Sequence, residues 1–296
     1  MFGRCLVAMV TPMKADKSID IEDAKALVDH LINTGCDGIV VNGTTGESAT
    51  LSSDESMDMV ALAVEHAAGR AKIVAGIGSN DTSHSVSMSK RAVEAGADGL
   101  LLVSPYYNKP TQRGLIAHCQ TIADTTELPI ILYDIPGRTG IPFTSETLVE
   151  LAKHPNIKAV KDAKGDLWAA TKLMAETDLA WYSGADEMNL AHLAQGAVGM
   201  ISVVGHAAAG YYSAMIDAVD AGNLARARAI HEALIPLTEA IMNTSQGAIM
   251  AKAAMVELGV ISSDSVRLPL VESLEPDLAK LRAAFAVTKP LDAIPA

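Results

Sequence analysis

The stretch Pro129-Ile130-Ile131-Leu132-Tyr133-Asp134-Ile135-Pro136, "PIILYDIP", decides how this chain folds. Its apolar residues run on without alternating with polar ones, which is the pattern of a parallel strand covered on both faces. Seven other runs share that character. They are "CLVAMVTP" (5–12), "GIVVNG" (38–43), "KIVAGIG" (72–78), "GLLLVSP" (99–105), "IKAVKD" (157–162), "LAWYSG" (179–184) and "GMISVVG" (199–205). Segments with helical spacing lie between them. Ser52 and Glu55 have capping-box spacing ahead of "SMDMVALAVEHAA" (56–68), and Thr144 or Ser145 can cap "ETLVELAKH" (146–154).

Eight strands alternating with helices predict an α/β fold, a (β/α)8 TIM barrel. A doubly wound sheet is the competitor, but it carries a phosphate-binding glycine fingerprint after its first strand. Here "MVTPMKADKS" (9–18) follows instead. After residue 205 only helical patterns remain: "GYYSAMIDAVDAG" (210–222), "LARARAIHEALIPLTEAIMNT" (224–244), "GAIMAKAAMVELG" (247–259) and "DLAKLRAAFAV" (277–287). The expected organisation is a catalytic barrel over 1–222 and a C-terminal helical domain over 223–296, with the tail "TKPLDAIPA" (288–296) frayed.

Composition narrows the function. The chain has 296 residues, 49% of them hydrophobic and 20% charged, enough for a large core. A net charge of −12 argues against a nucleic-acid surface and suits an anionic membrane poorly. No run of 18 apolar residues predicts a membrane span, and the N-terminal apolar run, stopped by Thr11-Pro12, is too short for a signal peptide. Cys5, Cys36 and Cys119 form no C-x-x-C pair, so they read as core thiols in a reducing compartment. A cytoplasmic protein without a metal site is expected.

Residues at the C-terminal ends of barrel strands face the active site. Strand six ends in "VKDAKGD" (160–166), where side-chain alternation puts Ile157, Ala159 and Lys161 on one face. Lys158 starts the strand at the barrel bottom, and Lys164 falls in a loop that can stay hydrated. An enclosed Lys161 would lose hydration, favouring a neutral amine able to attack a carbonyl. A buried pair of Lys161 with a carboxylate such as Asp162 is the competing reading. Tyr133 lies at similar depth and can shuttle protons or simply fill the core. Arg138, just beyond, can clamp a carboxylate or form a surface ion pair. The turn "GTTGES" (43–48) can aim N–H groups and hydroxyls at a small anion but lacks the lysine of a nucleotide loop.

These stretches, with "VAMVTPM" (7–13), "GTTGESATL" (43–51), "PYYNKPTQRGL" (105–115), "LYDIPGRTG" (132–140), "VKDAKGD" and "RLPL" (267–270), make the chain resemble the dihydrodipicolinate synthase/N-acetylneuraminate lyase family of class I aldolase-type barrels. The similarity runs through all but the last few residues. It implies that Lys161 forms a Schiff base with pyruvate and that Tyr133, Thr44 and Tyr107 relay protons, Tyr107 serving a neighbouring subunit. A homodimer or homotetramer follows. The resemblance also puts Thr45 on the pyruvate carboxylate and Gly184 and Ile201 on the pocket wall. Arg138 would take the carboxylate of L-aspartate-4-semialdehyde, which separates the synthase branch from the sugar-acid lyases. No cofactor and no metal are implied. A sugar-acid aldolase and a non-catalytic keto-acid-binding barrel are the alternatives.

Two departures stand out. Lysine-inhibited members bind L-lysine with residues matching Ser48, Ala49, Asn80 and Tyr106, all suitable here. They carry histidines at the positions of Ser53 and Ser56 and a glutamate at that of His84, so a vestigial site with weak or absent lysine inhibition is expected. Ala185 replaces the acidic or amide residue common in the family.

Overall fold

The structure, a computed structural model, describes residues 1–295. Eight parallel strands close into a barrel in chain order, with β8 pairing back onto β1. They are β1 (Cys5–Ala8), β2 (Gly38–Val41), β3 (Lys72–Gly76), β4 (Gly99–Val103), β5 (Ile130–Asp134), β6 (Ile157–Asp162), β7 (Ala180–Ser183) and β8 (Gly199–Ser202). Each coincides with one predicted run; β6 fills its run completely, and the other seven stop short of the C-terminal end of theirs. The residues trimmed from the runs, among them Thr11, Asn42, Ser104 and Ile135, belong to the loops above the strands.

The continuous hydrophobicity of the runs has a direct cause: both strand faces are buried. Leu6, Ile131, Tyr133, Ala159 and Tyr182 fill the barrel interior, while their neighbours Val7, Leu132, Val160 and Trp181 pack outward against the helices. The floor is closed by Phe2, fully buried, whose ring meets that of Tyr182 edge to face at 6.3 Å between centroids. The Tyr182 hydroxyl donates to the Gly3 carbonyl at 2.8 Å, fixing the N-terminal segment there. Gly99 leaves room for this plug, since a Cβ there would lie 2.5 Å from Phe2 Cε1.

Helix starts follow the sequence signals. Ser52 and Glu55 form the reciprocal capping box, and Thr144, not Ser145, caps the helix Ser145–Leu151. Past β8 come the helices Gly205–Asp220, Leu224–Ala233, Ile235–Met242, Gly247–Glu257 and Glu275–Val287. The pattern read over 224–244 is two helices, because Pro236 cannot continue the first and opens the second. Helix Gly247–Glu257 is buried on every side over its first nine residues, Lys252 included. Its surroundings belong to the same apolar cluster as the outer faces of the strands.

The tail departs from expectation. It docks instead of fraying: Ile294 is buried, Arg226 Nη1 donates to the carbonyls of Ile294 and Pro295 at 3.1 and 2.8 Å, and the Tyr211 hydroxyl donates to that of Lys289. An apolar anchor and three paired carbonyls outweigh terminal entropy. Ala296 lies outside the described residues. Among the described residues no helix is long and apolar enough to cross a membrane. The three cysteines are free and buried, and burial raises the pKa of each.

The floor gives a stability prediction. Gly99→Ala forces the extra methyl against an immobile Phe2 and should destabilise the chain by about 1–3 kcal/mol. Urea unfolding measures this, and an unchanged midpoint would contradict the packing described.

Candidate active site

At the C-terminal mouth of the barrel lies a cavity of 460 Å³, walled by Asn42, Thr44, Ser48, Ser56, Tyr106, Tyr133 and Arg138 among others. Behind the Tyr133 part of that wall, and not on it, stands Lys161. Strand register sets this residue between Tyr133 on β5 and Tyr182 on β7, facing inward and 4% exposed. Its Nζ sits 4.3 Å from the centroid of the Tyr133 ring. Burial pushes the ammonium down to about 8; buried Asp186 opposes this and Arg138 adds to it. The buried Lys161–Asp162 pair does not form. Asp162 lies on the outer face, where its Oδ2 accepts from Trp181 Nε1 at 3.1 Å and its Oδ1 from the Lys164 N–H at 2.8 Å. No carboxylate among the described residues pairs with Lys161 within 4.0 Å.

The other two lysines of the stretch divide. Lys158 is exposed at the strand's start, as read from the sequence. Lys164 is not left hydrated: its side chain is mostly buried, with Nζ 3.9 Å from Asp134 Oδ2. The reason is Asp134, buried at the end of β5 and in register with Asp162, whose carboxyl burial raises to about 7 despite Lys164.

Gly184 makes the seat of Lys161 possible. Its N–H donates to the Asp162 carbonyl at 2.7 Å, and a Cβ there would lie 2.9 Å from Lys161 Cγ and 3.0 Å from Asp162 O. Ile201 is buried in the barrel interior on β8, and neither it nor Gly184 is on the cavity wall. Next to Gly184, the Ala185 carbonyl accepts from Ser183 Oγ and from the Met188 N–H, so backbone groups serve where the side chain offers none.

Tyr133 is 7% exposed, and burial lifts its phenol to about 12, with Arg138 opposing. A proton leaving it therefore needs an acceptor in place. Thr44 and Thr45 sit in the tight turn Thr44–Gly46 after β2; Thr44 lines the cavity, whereas Thr45 is buried behind it. Arg138 belongs to the single helical turn Pro136–Thr139, lines the mouth and makes no ion pair among the described residues. Ser48, Ala49, Ser53, Ser56, His84 and Tyr106 line the outer part of the same cavity. Asn80 is not on the wall; its carbonyl accepts from Asn108 Nδ2. Tyr107 also lies off the wall, 88% exposed, with a left-handed φ of 71°.

Three residues escaped the sequence reading. Asn42 lines the cavity with a left-handed φ of 60°, and its Nδ2 donates to the Ser56 carbonyl while its buried Oδ1 has no protein partner. Its place at the end of β2 was the available signal. Asp186 closes the β7 end against β8, accepting from Ser202 Oγ and the N–H groups of Val203 and Val204. It stands one residue beyond Ala185. Glu47 follows the threonine turn and pairs with Lys252, which no local pattern announces.

A barrel whose mouth holds a desolvated, unpaired lysine beside a tyrosine has the layout of a carbonyl-binding enzyme. The model of the dihydrodipicolinate synthetase family matches residues 1–287, and the chain belongs to that family. It is 50% identical to a 4-hydroxy-tetrahydrodipicolinate synthase of Kineococcus radiotolerans, over 99% of this chain and 96% of that one. Among solved structures it resembles the dihydrodipicolinate synthase of Cyanidioschyzon merolae with lysine bound, at 40% identity and a TM-score of 0.94 over 97% of this chain and 98% of that one. A chloride-inhibited dihydrodipicolinate synthase of Acinetobacter baumannii complexed with pyruvate matches at 37% identity and a TM-score of 0.94, over 97% and 99%.

Gly184→Ala tests the seat. The added methyl has backbone on one side and the Lys161 stem on the other, so the lysine must shift. Displacements of about 1 Å cost on the order of a hundredfold in rate. Turnover should fall by at least about tenfold while the circular dichroism spectrum stays that of the wild type.

Proposed function

We propose that this barrel is a lyase that condenses pyruvate with L-aspartate-4-semialdehyde to give 4-hydroxy-tetrahydrodipicolinate, the committed step toward diaminopimelate and lysine. The observation that carries this is the charge pattern of the cavity. Lys161 is desolvated and free of any carboxylate, and apart from the two tyrosines the titratable side chains on the cavity wall are His84 and Arg138. Such a wall favours two substrates that each bring a carboxylate.

The neutral Lys161 amine adds to the keto carbon of pyruvate, and loss of water leaves a protonated imine. That cation draws electrons from the methyl carbon, a proton leaves, and the enamine attacks the aldehyde. The amino group of the new chain then adds to the imine carbon, closing the ring and releasing Lys161. Tyr133 hands protons to and from the carbinolamine, with Thr44 and the Tyr107 of a second copy as the relay. The exposure of Tyr107 and its left-handed backbone suit a side chain offered to a neighbour, and a homodimer or homotetramer follows from that role. Thr45 and the backbone at Gly184 and Ile201 hold the pyruvate end, and Arg138 at the mouth takes the carboxylate of the second substrate. The reaction is assigned to the cytoplasm.

Incubation with pyruvate and borohydride should leave a reduced adduct on Lys161, found by mass spectrometry and absent from Lys161→Ala. An unmodified lysine would sink the covalent mechanism. A coupled assay should show turnover with aspartate semialdehyde and none with N-acetylneuraminate. Because the amine titrates near 8, the rate of trapping should climb with pH and level off just above that value. An ordinary lysine would keep climbing to about 10.4.

The outer part of the cavity bears on regulation. His84, Ser53 and Ser56 line it, and among the described residues no carboxylate does. A second ammonium group bound there would lack a counter-charge, so L-lysine should inhibit weakly or not at all. Half-maximal inhibition at submillimolar lysine would refute this.

A further inference from the structure

We propose that Glu47 and Lys252 are positioning residues for the proposed reaction, a buried clamp through which the C-terminal helices set the pose of the Thr44–Thr45 turn. Glu47 is 4% exposed and Lys252 fully buried, and Lys252 Nζ donates to Glu47 Oε1 at 2.5 Å and to the Ser265 carbonyl at 2.6 Å. The second carboxylate oxygen accepts from the Arg267 N–H at 2.9 Å. Thus "GTTGES" and "RLPL", two motifs that lie far apart in the chain, meet at one carboxylate.

The backbone of Glu47 shows why a clamp is needed. It sits in the left-handed region at φ 58°, a conformation that L-residues other than glycine and asparagine seldom adopt and that persists only where its surroundings hold it. The Glu47 N–H donates to the Thr44 carbonyl, and the Glu47 carbonyl accepts from the Thr50 N–H and hydroxyl, so its conformation passes directly to the residues on either side. On the barrel side the Thr11 hydroxyl donates to the Gly46 carbonyl at 2.7 Å. On the outer side Arg267 Nη1 donates to the Thr50 carbonyl, while the rest of its guanidinium grips Glu55 and the Lys17 carbonyl. The turn is therefore held between the segment after β1 and the C-terminal segment, and the ion pair beside it is buried. Removing one charge leaves the other stranded out of water, whereas neutralising both does not.

The experiment rests on the reading of Lys161, Thr44 and Thr45 given above. In the double variant Glu47→Gln/Lys252→Met the amide still accepts from the Arg267 N–H but the ion pair is gone. Glu47→Asp keeps the charge and shortens its reach, and it reports if the double variant does not fold. In the variant that melts within a few degrees of wild type, KM for pyruvate should rise, and imine formation on Lys161 slow, by at least about tenfold. KM for aspartate semialdehyde, whose carboxylate meets Arg138 on the β5 side, should change by less than about twofold. Wild-type constants in a folded variant would overturn the proposal. So would equal weakening toward both substrates, which is the mark of a merely structural pair. Failure of the wild type itself to trap pyruvate would instead remove the reaction on which the clamp acts.

Discussion

An amine that is to stay uncharged near neutral pH must be taken out of water and must not be handed a carboxylate. That double condition organises this barrel. With its amine near 8, roughly a tenth of Lys161 is neutral at pH 7, against about one in 2,500 for an ordinary lysine. The acids nearest in sequence are directed elsewhere. Asp134 and Asp162, adjacent to Tyr133 and Lys161 along their strands, necessarily face the helices, because successive side chains alternate. Asp186 acts on Lys161 only through its field, its oxygens being occupied by Ser202 and the backbone of the β8 loop.

The opposite solution appears at Lys252. There the ammonium is just as deeply buried but is given a partner, and burial still lowers it while Glu47 draws it back up. One fold thus contains a lysine kept for chemistry and a lysine kept for position. The difference is whether a carboxylate is within reach, not how much water is excluded.

Much of this was legible in the residues. The eight apolar runs announced the barrel because parallel strands bury both faces, and alternation along "IKAVKD" singled out Lys161 from its two neighbours. Local helix chemistry was equally readable at Ser52 and Glu55. Long-range pairing was not. Lys252 sits in a helix of small and apolar residues, where a lone lysine carries no periodic signal, and its partner is 205 residues away. Ile294 reads as part of a frayed tail because the groove that receives it exists only after the helices assemble. Alternation already spoke against a pair of Lys161 with Asp162, but whether a carboxylate from another strand reached Lys161 could be decided only by geometry.

The Phe2 plug has a consequence for traffic. With that ring buried in the bottom of the barrel, the cavity at the other end opens among residues that include Tyr106 and Arg138. The keto acid of the proposed reaction meets Lys161 on the buried side of Tyr133, and the molecule held by Arg138 stands at the cavity wall. In the proposed reaction the keto acid must therefore arrive first, and the water it sheds must depart before the aldehyde settles. The proposed order of arrival thus follows from depth in a barrel whose floor is an aromatic ring, far from any bond that is made or broken.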